Sequence, residues 1–449
     1  MSRVLRSTLC LALSFACASP PTTDDGGAVG GGAGGGDTAM GGGAAVGGGA
    51  AFDAGPPPQS QLDPTWGSGG CVTVPFGNGE VEEYRAVAVA ADGTVYAAGR
   101  VTAEDAGLAM RNAVGVTRFA ANGQPDPAFG QRGSVRVEFI AGYHDVWGLF
   151  AAPDGVVVGV QPSRSAAVML KLTPTGARAL SFGDGGVLVP PVTPGLSSVP
   201  LVSDGDGFLF AQSALGRGQL SRLTATGARD PSFGVNGVLE FDQPLWSLRV
   251  ESLLATAGGK FVVAGLLNNA VVVARVPSSD GGVDHSFGGR DGIVKLYEGT
   301  LAARSMVQLA EGSLRLELVQ NSVHVLAGVF DGGTDRRLNR DGGTVPLEGA
   351  SGRLFEVKPD VLGVPTRFTD LSSDPEVGGT DLAVALLGLD GGLVTSAPNG
   401  GFLVAHVPNT GATSSAATRQ PDGKVLVVGT QSDATTRRSV PVICRLVVP

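Results

Sequence analysis

Along most of this chain, apolar residues come in short runs broken by Asp-Gly or Gly-Gly. Ala86-Val-Ala-Val-Ala-Ala-Asp-Gly-Thr-Val-Tyr-Ala-Ala-Gly99 is one such passage, and Leu149 to Gly159 is another. Val202 to Ala211, Leu253 to Gly265 and Pro421 to Gly429 repeat the form. Asp-Gly between two apolar runs is a strong hairpin signal, because both central turn positions favour positive φ. A third run follows and closes in Arg-Phe, Lys-Leu or Arg-Leu: Gly115 to Phe119, Val168 to Leu172, Leu220 to Leu223 and Val442 to Leu446. The runs are too short and too rich in β-branched residues for helices, so the pattern predicts three antiparallel strands per unit.

A second motif links the units. Its clearest copy is Arg229-Asp-Pro-Ser-Phe-Gly-Val-Asn-Gly-Val-Leu-Glu-Phe241. Other copies begin at Leu62, Pro125, Ala179 and Val283, and their aromatic residues are Trp66, Phe129, Phe182, Phe233 and Phe287, spaced 51 to 63 residues apart. Asp-Pro and the paired glycines predict a turn, and the alternating residues after it (Ser134-Val-Arg-Val-Glu-Phe139) predict a fourth, outer strand. Recurrence of the aromatic in each good unit points to packing between neighbouring units rather than to a ligand platform. The Arg or Lys ending each third strand is read as solvated or paired with the motif carboxylates.

Four short antiparallel strands per unit is the blade of a β-propeller. The pattern resembles the delta-60 repeat family of exported bacterial proteins, on the strength of Asp230-Pro-Ser-Phe-Gly234 and Pro421-Asp-Gly-Lys424. The likeness covers residues 62–300 and 410–449 well and 300–410 loosely. It implies a propeller-like array and no established activity.

Hairpins at Asp92-Gly93, Asp154-Gly155, Asp206-Gly207, Gly258-Gly259, Asp390-Gly391 and Asp422-Gly423, with a degenerate unit from Met306 whose third strand falls near Arg353 to Val357, predict an all-β, seven-bladed propeller of four-stranded blades. The sixth unit, Leu382 to Val407, is expected to lack a regular fourth strand. The chain opens with a fourth-strand motif that has no preceding blade and ends with a third strand that has no successor. A ring closes if the N-terminal strand joins the last blade, which removes two exposed edges. Cys71 lies in the orphan fourth strand and Cys444 in the orphan third strand, and opposed Cα atoms on adjacent antiparallel strands are within disulfide reach. Two unrelated buried thiols are the competing reading.

The N-terminus changes the compartment. Residues 1–16 hold two arginines and an apolar run, a signal-peptide pattern. Leu13 to Cys17 resembles a bacterial lipobox, in which Cys17 becomes the lipidated first residue, although Ser14 stands where an aliphatic residue is usual. Cleavage after Ala18 and an unprocessed chain are the other readings. Residues 17–60 are rich in glycine, alanine and proline and read as a flexible tether, leaving 61–449 for the propeller. The expected location is the bacterial outer membrane or cell surface, with secretion or the periplasm as the alternative.

With 71 glycines, 16% charged residues and a net charge of −9, the chain is a poor match for phosphate backbones, which excludes nucleic acid as the expected partner. No phosphate loop, Gly-x-Ser-x-Gly elbow, His-Glu-x-x-His or Cys-x-x-Cys is present, so no catalytic residue, cofactor or metal site is assigned. His144, His285, His324 and His406 lie in different units without ligand spacing, and Asp184, Asp280, Asp331, Asp341 and Asp390 belong to turns. The expected role is therefore a monomeric binding or scaffold module, not an enzyme, with a protein or polysaccharide ligand at the propeller face. The irregular stretches 330–350 and 358–380 are the candidate binding loops. A carbohydrate-active hydrolase or lyase in the central channel and a purely structural surface protein are the alternatives.

Overall fold

The computed structural model describes residues 59–449 except 78–80, 106–107, 139–143, 163–166, 191–199, 206, 215–216, 257–258, 279–281, 289–290, 300, 321–322, 331–332, 335–343, 346–351, 370–379, 408–409 and 434–437. The signal segment, Cys17 and most of the tether lie outside the described residues.

The structure is all-β with a propeller-like arrangement. Strand β1 (Cys71–Thr73) comes first. The next group is β2 (Val81–Val89), β3 (Val95–Asp105), β4 (Leu108–Phe119) and β5 (Ser134–Glu138). Then come β6 (His144–Ala152), β7 (Gly155–Pro162), β8 (Val168–Leu172) and β9 (Val187–Leu188), followed by β10 (Leu201–Asp204), β11 (Gly207–Ala214), β12 (Arg217–Leu223) and β13 (Val238–Glu240). The fourth group is β14 (Arg249–Thr256), β15 (Lys260–Leu267), β16 (Ala270–Pro277) and β17 (Ile293–Glu298). The fifth is β18 (Ala302–Gln308), β19 (Leu314–Gln320), β20 (Val323–Phe330), β21 (Gly333–Thr334) and β22 (Thr344–Val345). Last come β23 (Phe355–Lys358), β24 (Val361–Thr369), β25 (Thr380–Gly388) and β26 (Phe402–Ala405), then β27 (Thr410–Arg419), β28 (Val425–Asp433) and β29 (Ser439–Leu446).

The strand pairing departs from the expectation of seven separate blades. Among the described residues there are four separate sheets of four or five strands and one sheet of twelve. The twelve-stranded sheet contains three antiparallel groups: β2 to β5, β23 to β26, and β27 to β29 with β1. They are joined only by single parallel pairs, Val81 with Ser439 and Thr380 with Gly411.

Two strand assignments are corrected as well. Residues 355–358 form the first strand of the sixth group, not the third strand of the fifth, whose third strand is β20. The sixth group has a fourth strand, β26, paired with β25. The error has one source. Asp390-Gly391 joins third strand to fourth, as Asn122-Gly123 does, and is not the first hairpin of its group; that hairpin turns instead at Asp360, a non-glycine residue at φ 65°. The candidate binding loop 358–380 is likewise mostly strand β24, with 370–379 outside the described residues. Of the 330–350 stretch, only Phe330 and the short β21 and β22 are described.

The hairpin turns also differ from the expected geometry. At Asp92-Gly93 only the glycine has positive φ (84°), and the same holds at Gly155, Gly391 and Gly423. Ala90 accepts from Gly93 and donates to Thr94, and the Asp92 carboxylate accepts the Thr94 N–H. This is a three-residue turn with one left-handed position, which glycine adopts without strain.

Hydrophobic clusters join each strand group to the next. Phe129 lies among residues of β3, β4, β6 and β7, Phe182 among residues of β7, β8 and β11, Phe233 between the third and fourth groups, and Phe287 between the fourth and fifth. Further clusters lie between the fifth and sixth groups and between the sixth and the last. Trp66, at 0% exposure, sits with Leu426, Val428 and Ile443 on one side and Tyr84, Val95 and Phe119 on the other, so the last group also packs on the first.

The motif around each aromatic explains this joint. One oxygen of Asp63, Asp126, Asp230 and Asp284 accepts the N–H two residues on, fixing the turn. The other faces the Arg that ends the third strand: Arg445 at 2.8 Å, Arg118 at 3.2 Å, Arg222 at 3.4 Å and Arg275 at 2.8 Å. Ala179 replaces the Asp in the second group, and Lys171 pairs there with Asp154 at 2.8 Å. The glycine after the aromatic donates across to the next group's turn, Gly67 to Asn122 at 2.8 Å, Gly130 to Thr175 at 2.9 Å and Gly183 to Thr226 at 3.1 Å.

The N-terminal strand β1 pairs antiparallel with β29, placing Cys71 opposite Cys444. The two form a disulfide with Cα atoms 4.1 Å apart. Asp63 sits beside this seam with its side chain 4% exposed, bound by Lys424 and Arg445 at 2.8 Å each. Burial by itself raises its pKa, but the bonds from Lys424 and Thr65 and the charge of Arg445 prevail and hold the carboxyl well below its ordinary range.

A depressed folded-state pKa gives stability that is present above the unfolded value, about pH 4, and is lost as the pH falls towards the folded value. In denaturant titrations, Asp63→Asn should cost about 2–4 kcal/mol at pH 7. That difference should shrink steadily below about pH 4. A cost that does not vary with pH would show that the carboxylate's charge is not what stabilises the seam.

Candidate functional site

The first strands of five groups carry a recurring irregularity. Register slips by one residue at Arg85 in β2, Trp147 in β6, Glu251 in β14, Arg304 in β18 and Ser415 in β27. Four of the bulged residues lie seven positions before a turn residue, Asp92, Asp154, Glu311 and Asp422, and the same offset from Glu251 falls on Gly258, outside the described residues. The same offset from Asp360 gives Arg353, just ahead of β23. In the third group it gives Val199, outside the described residues.

A bulge leaves one residue out of the ladder and re-aims its side chain. In four of the five pairs the partner strand carries glycine at the bulge; opposite Arg304 it carries Leu318 and Glu317. A Cβ on Gly99 would lie 1.7 Å from the Glu83 carbonyl oxygen, on Gly265 1.9 Å from that of Arg249, and on Gly429 1.9 Å from that of Thr413. At Gly159 the Trp147 ring takes the space, 2.7 Å from where a Cβ would stand.

These bulges line a cavity of about 380 Å³ whose walls come from the first strands of four groups and the segment before a fifth. Arg85, Asp145, Trp147, Arg304, Arg353 and Ser415 supply its polar surface. Arg85 is held by Glu83 at 3.0 Å and lies 3.7 Å from Asp145. Glu83 is shared with Arg100 at 2.6 Å. Arg304 faces Glu317 at 3.9 Å. Arg353 donates weakly to the Trp147 carbonyl at 3.4 Å, and among the described residues no carboxylate pairs with it. Its side chain is exposed to the cavity, and the surrounding protein lowers its pKa from the ordinary guanidinium value by partial loss of hydration.

A larger groove of about 1130 Å³ lies at the periphery, between β1, β5 and the turn at Thr175 to Ala177. Its charged lining is Arg132 and Arg136 alone, and it gathers residues from outer strands and turns. The inner cavity, where many strand groups converge, is the better candidate.

The residues singled out from the sequence do not form this site. Trp66, Phe129, Phe182, Phe233 and Phe287 are buried between strand groups, Cys71 and Cys444 are in the seam, and Cys17 is outside the described residues. The Nδ1 of His406 lies 3.1 Å from Asp381, the His285 side chain sits in a motif turn, and the side chains of His144 and His324 are not described. No cluster of three or more His, Cys, Asp or Glu side chains suited to a metal occurs among the described residues. The cavity residues were missed because Arg85, Trp147, Arg304, Arg353 and Ser415 lie in separate units and outside the two recurring motifs. Their fixed offset from the turn was the signal that could have found them.

No family model and no curated protein matches this chain. Among solved structures it is similar to the Dos1 propeller, at 11% identity and TM-score 0.45, covering 85% of this chain and 94% of that one. It is similar to YCF48 bound to D1 peptide, at 10% identity and TM-score 0.42, covering 88% and 98%. The NanB sialidase of Streptococcus pneumoniae aligns at 9% identity and TM-score 0.36, covering 84% and 70%. These likenesses are distant, and the strand register carries the fold assignment.

Gly159→Ala should push the Trp147 indole out of place, at a cost of about 1–3 kcal/mol. Tryptophan emission, read against a Trp147→Phe control to isolate the signal of one of the three tryptophans, should shift in wavelength. An unchanged spectrum would show that the ring does not rest on Gly159.

Proposed function

We propose that this chain is an exported, lipid-anchored, seven-bladed β-propeller of the delta-60 type that acts as a binding module at the cell envelope. The seven-fold count takes the twelve-stranded sheet as three blades joined at single parallel pairs, and the succession of hydrophobic clusters from group to group supports it. The observation that carries the functional reading is the convergence of bulged residues from separate strand groups on one inner cavity. Ligand pockets are commonly concave sites with a few converging polar groups, and this cavity has that form.

Binding is favoured over hydrolysis by the inventory of the cavity. Hydrolysis of a glycosidic bond uses two carboxylates facing the substrate. Asp145 is the one carboxylate among the described lining residues. Glu83, behind it, is occupied by Arg85 and Arg100.

Two arms test the proposal. In cells, Cys17→Ala should move the protein from the membrane fraction to the soluble exported fraction, and an unchanged distribution would refute the lipid anchor. The purified full chain, probed against a panel of envelope polysaccharides and secreted proteins, should retain a ligand that Trp147→Ala and Arg353→Met each weaken at least about tenfold. Retention unaffected by both substitutions would place the ligand elsewhere and refute the channel site.

A further inference from the structure

The charge balance of the inner cavity is opposite to that of the whole protein. The chain carries a net charge of −9, but the cavity lining has Arg85, Arg304 and Arg353 against Asp145 alone. Arg85 is already neutralised by Glu83 at 3.0 Å, and Arg304 has Glu317 at 3.9 Å. Arg353 has no carboxylate partner among the described residues, and its contact there is a long hydrogen bond to the Trp147 carbonyl. The Arg353 side chain is exposed to the cavity rather than buried, so its guanidinium is open to an anion that enters there.

Trp147 is a second, independent group of the lining. The Nε1 of Trp147 is buried and has no hydrogen-bond partner. An atom so enclosed is out of reach of a ligand in the cavity, so what Trp147 presents there is its ring. The indole cannot turn away freely, because its ring is seated on Gly159. The site therefore offers a planar cationic fork and an aromatic ring seated on Gly159, both in the lining of one cavity.

We infer that the cavity takes a saccharide bearing a carboxylate, with the carboxylate on Arg353 and the sugar ring against Trp147. This rests on the channel-binding reading above. The guanidinium fork matches a carboxylate in two parallel hydrogen bonds. An aromatic ring suits a sugar, whose apolar C–H face can lie against it. The volume of about 380 Å³ is near the lower end of small-molecule pockets, which run from about 300 to 1,000 Å³, so the seat fits a short saccharide or a chain end. The acidic remainder of the surface repels extended polyanions, so the attraction is local and short-ranged.

The test is calorimetric titration of the purified full chain with D-glucuronate and digalacturonate, with glucose and maltose as neutral counterparts. The acidic sugars should bind at least about tenfold more tightly than the neutral ones. Arg353→Met should erase that preference, Arg353→Lys should restore part of it, and Trp147→Phe, which shrinks the ring surface a sugar can lie on, should weaken all binding about three- to tenfold. Circular dichroism melts confirm that each variant is folded, and the Lys variant serves if the Met variant is not. Equal affinity for acidic and neutral sugars, or a preference that survives Arg353→Met, overturns the inference. If a neutral sugar binds and Trp147→Phe weakens it, the channel site stands and only the anion assignment falls. If none of these sugars binds while a panel ligand is still lost on Trp147→Ala, the saccharide inference falls and the channel site stands. If no ligand responds to any cavity substitution, both fall.

Discussion

The structure depends on satisfying the edges of its strands. Each group of antiparallel strands has a hydrophobic face on both sides and unpaired backbone at its first and last strand, and such edges invite aggregation unless covered. The last group, β27 to β29, has three strands of its own and receives its fourth from the other end of the chain. Cys71 opposite Cys444, Leu62 opposite Leu446 and Asp63 between Lys424 and Arg445 make that seam. Closing a loop with 373 residues of separation restricts the unfolded chain by about 6 kcal/mol in the chain-entropy treatment, an upper bound because native strain and residual structure reduce it. The seam therefore combines backbone pairing, buried charge pairing and a covalent bond where the chain has no linear continuity.

Elsewhere the same motif does the joining without a covalent bond. The carboxylate of Asp126, Asp230 or Asp284 sets its turn and holds the third-strand Arg, and the aromatic that follows enters the core shared with the next group. Asp284, for example, is kept ionised well below the usual range because bonds from Lys260, Ser286 and Arg275 outweigh its burial. The second group shows that the pairing is transferable: with Ala179 in the Asp position, Lys171 reaches Asp154 instead and still lies 5.8 Å from the Phe182 ring. Rigid joints of this kind fix the first strands relative to one another, and those strands carry the cavity. A site that draws one residue from each of several strands needs such rigidity to keep its groups in place.

Much of the fold was legible in the sequence because it is written in turn chemistry and two-residue periodicity, which are local. Residues 86–99, 149–159 and 421–429 gave their hairpins directly. What was not legible had a physical cause in each case. The fifth and sixth groups were misdivided because Asp360, not Asp-Gly, turns the sixth hairpin, while a true Asp390-Gly391 turn sits in a different connection. The merging of three groups into one sheet depends on two parallel pairs that no sequence pattern announces. The site was the least legible part. Gly99, Gly159, Gly265 and Gly429 were visible as run endings, but as strand terminators rather than as the space that lets a bulge form. Arg85, Trp147, Arg304 and Arg353 share an offset from their turns, but they lie far apart in the chain and outside the recurring motifs, so nothing local in the sequence ties them together.

The central claim is that one chain end completes the blade made by the other, and through it the frame that holds the cavity. Peptide mapping of the purified protein under non-reducing conditions tests this most directly. The account predicts a single linked species joining the peptides that contain Cys71 and Cys444, which separates on reduction. Free thiols at both positions, or either cysteine linked elsewhere, would contradict it.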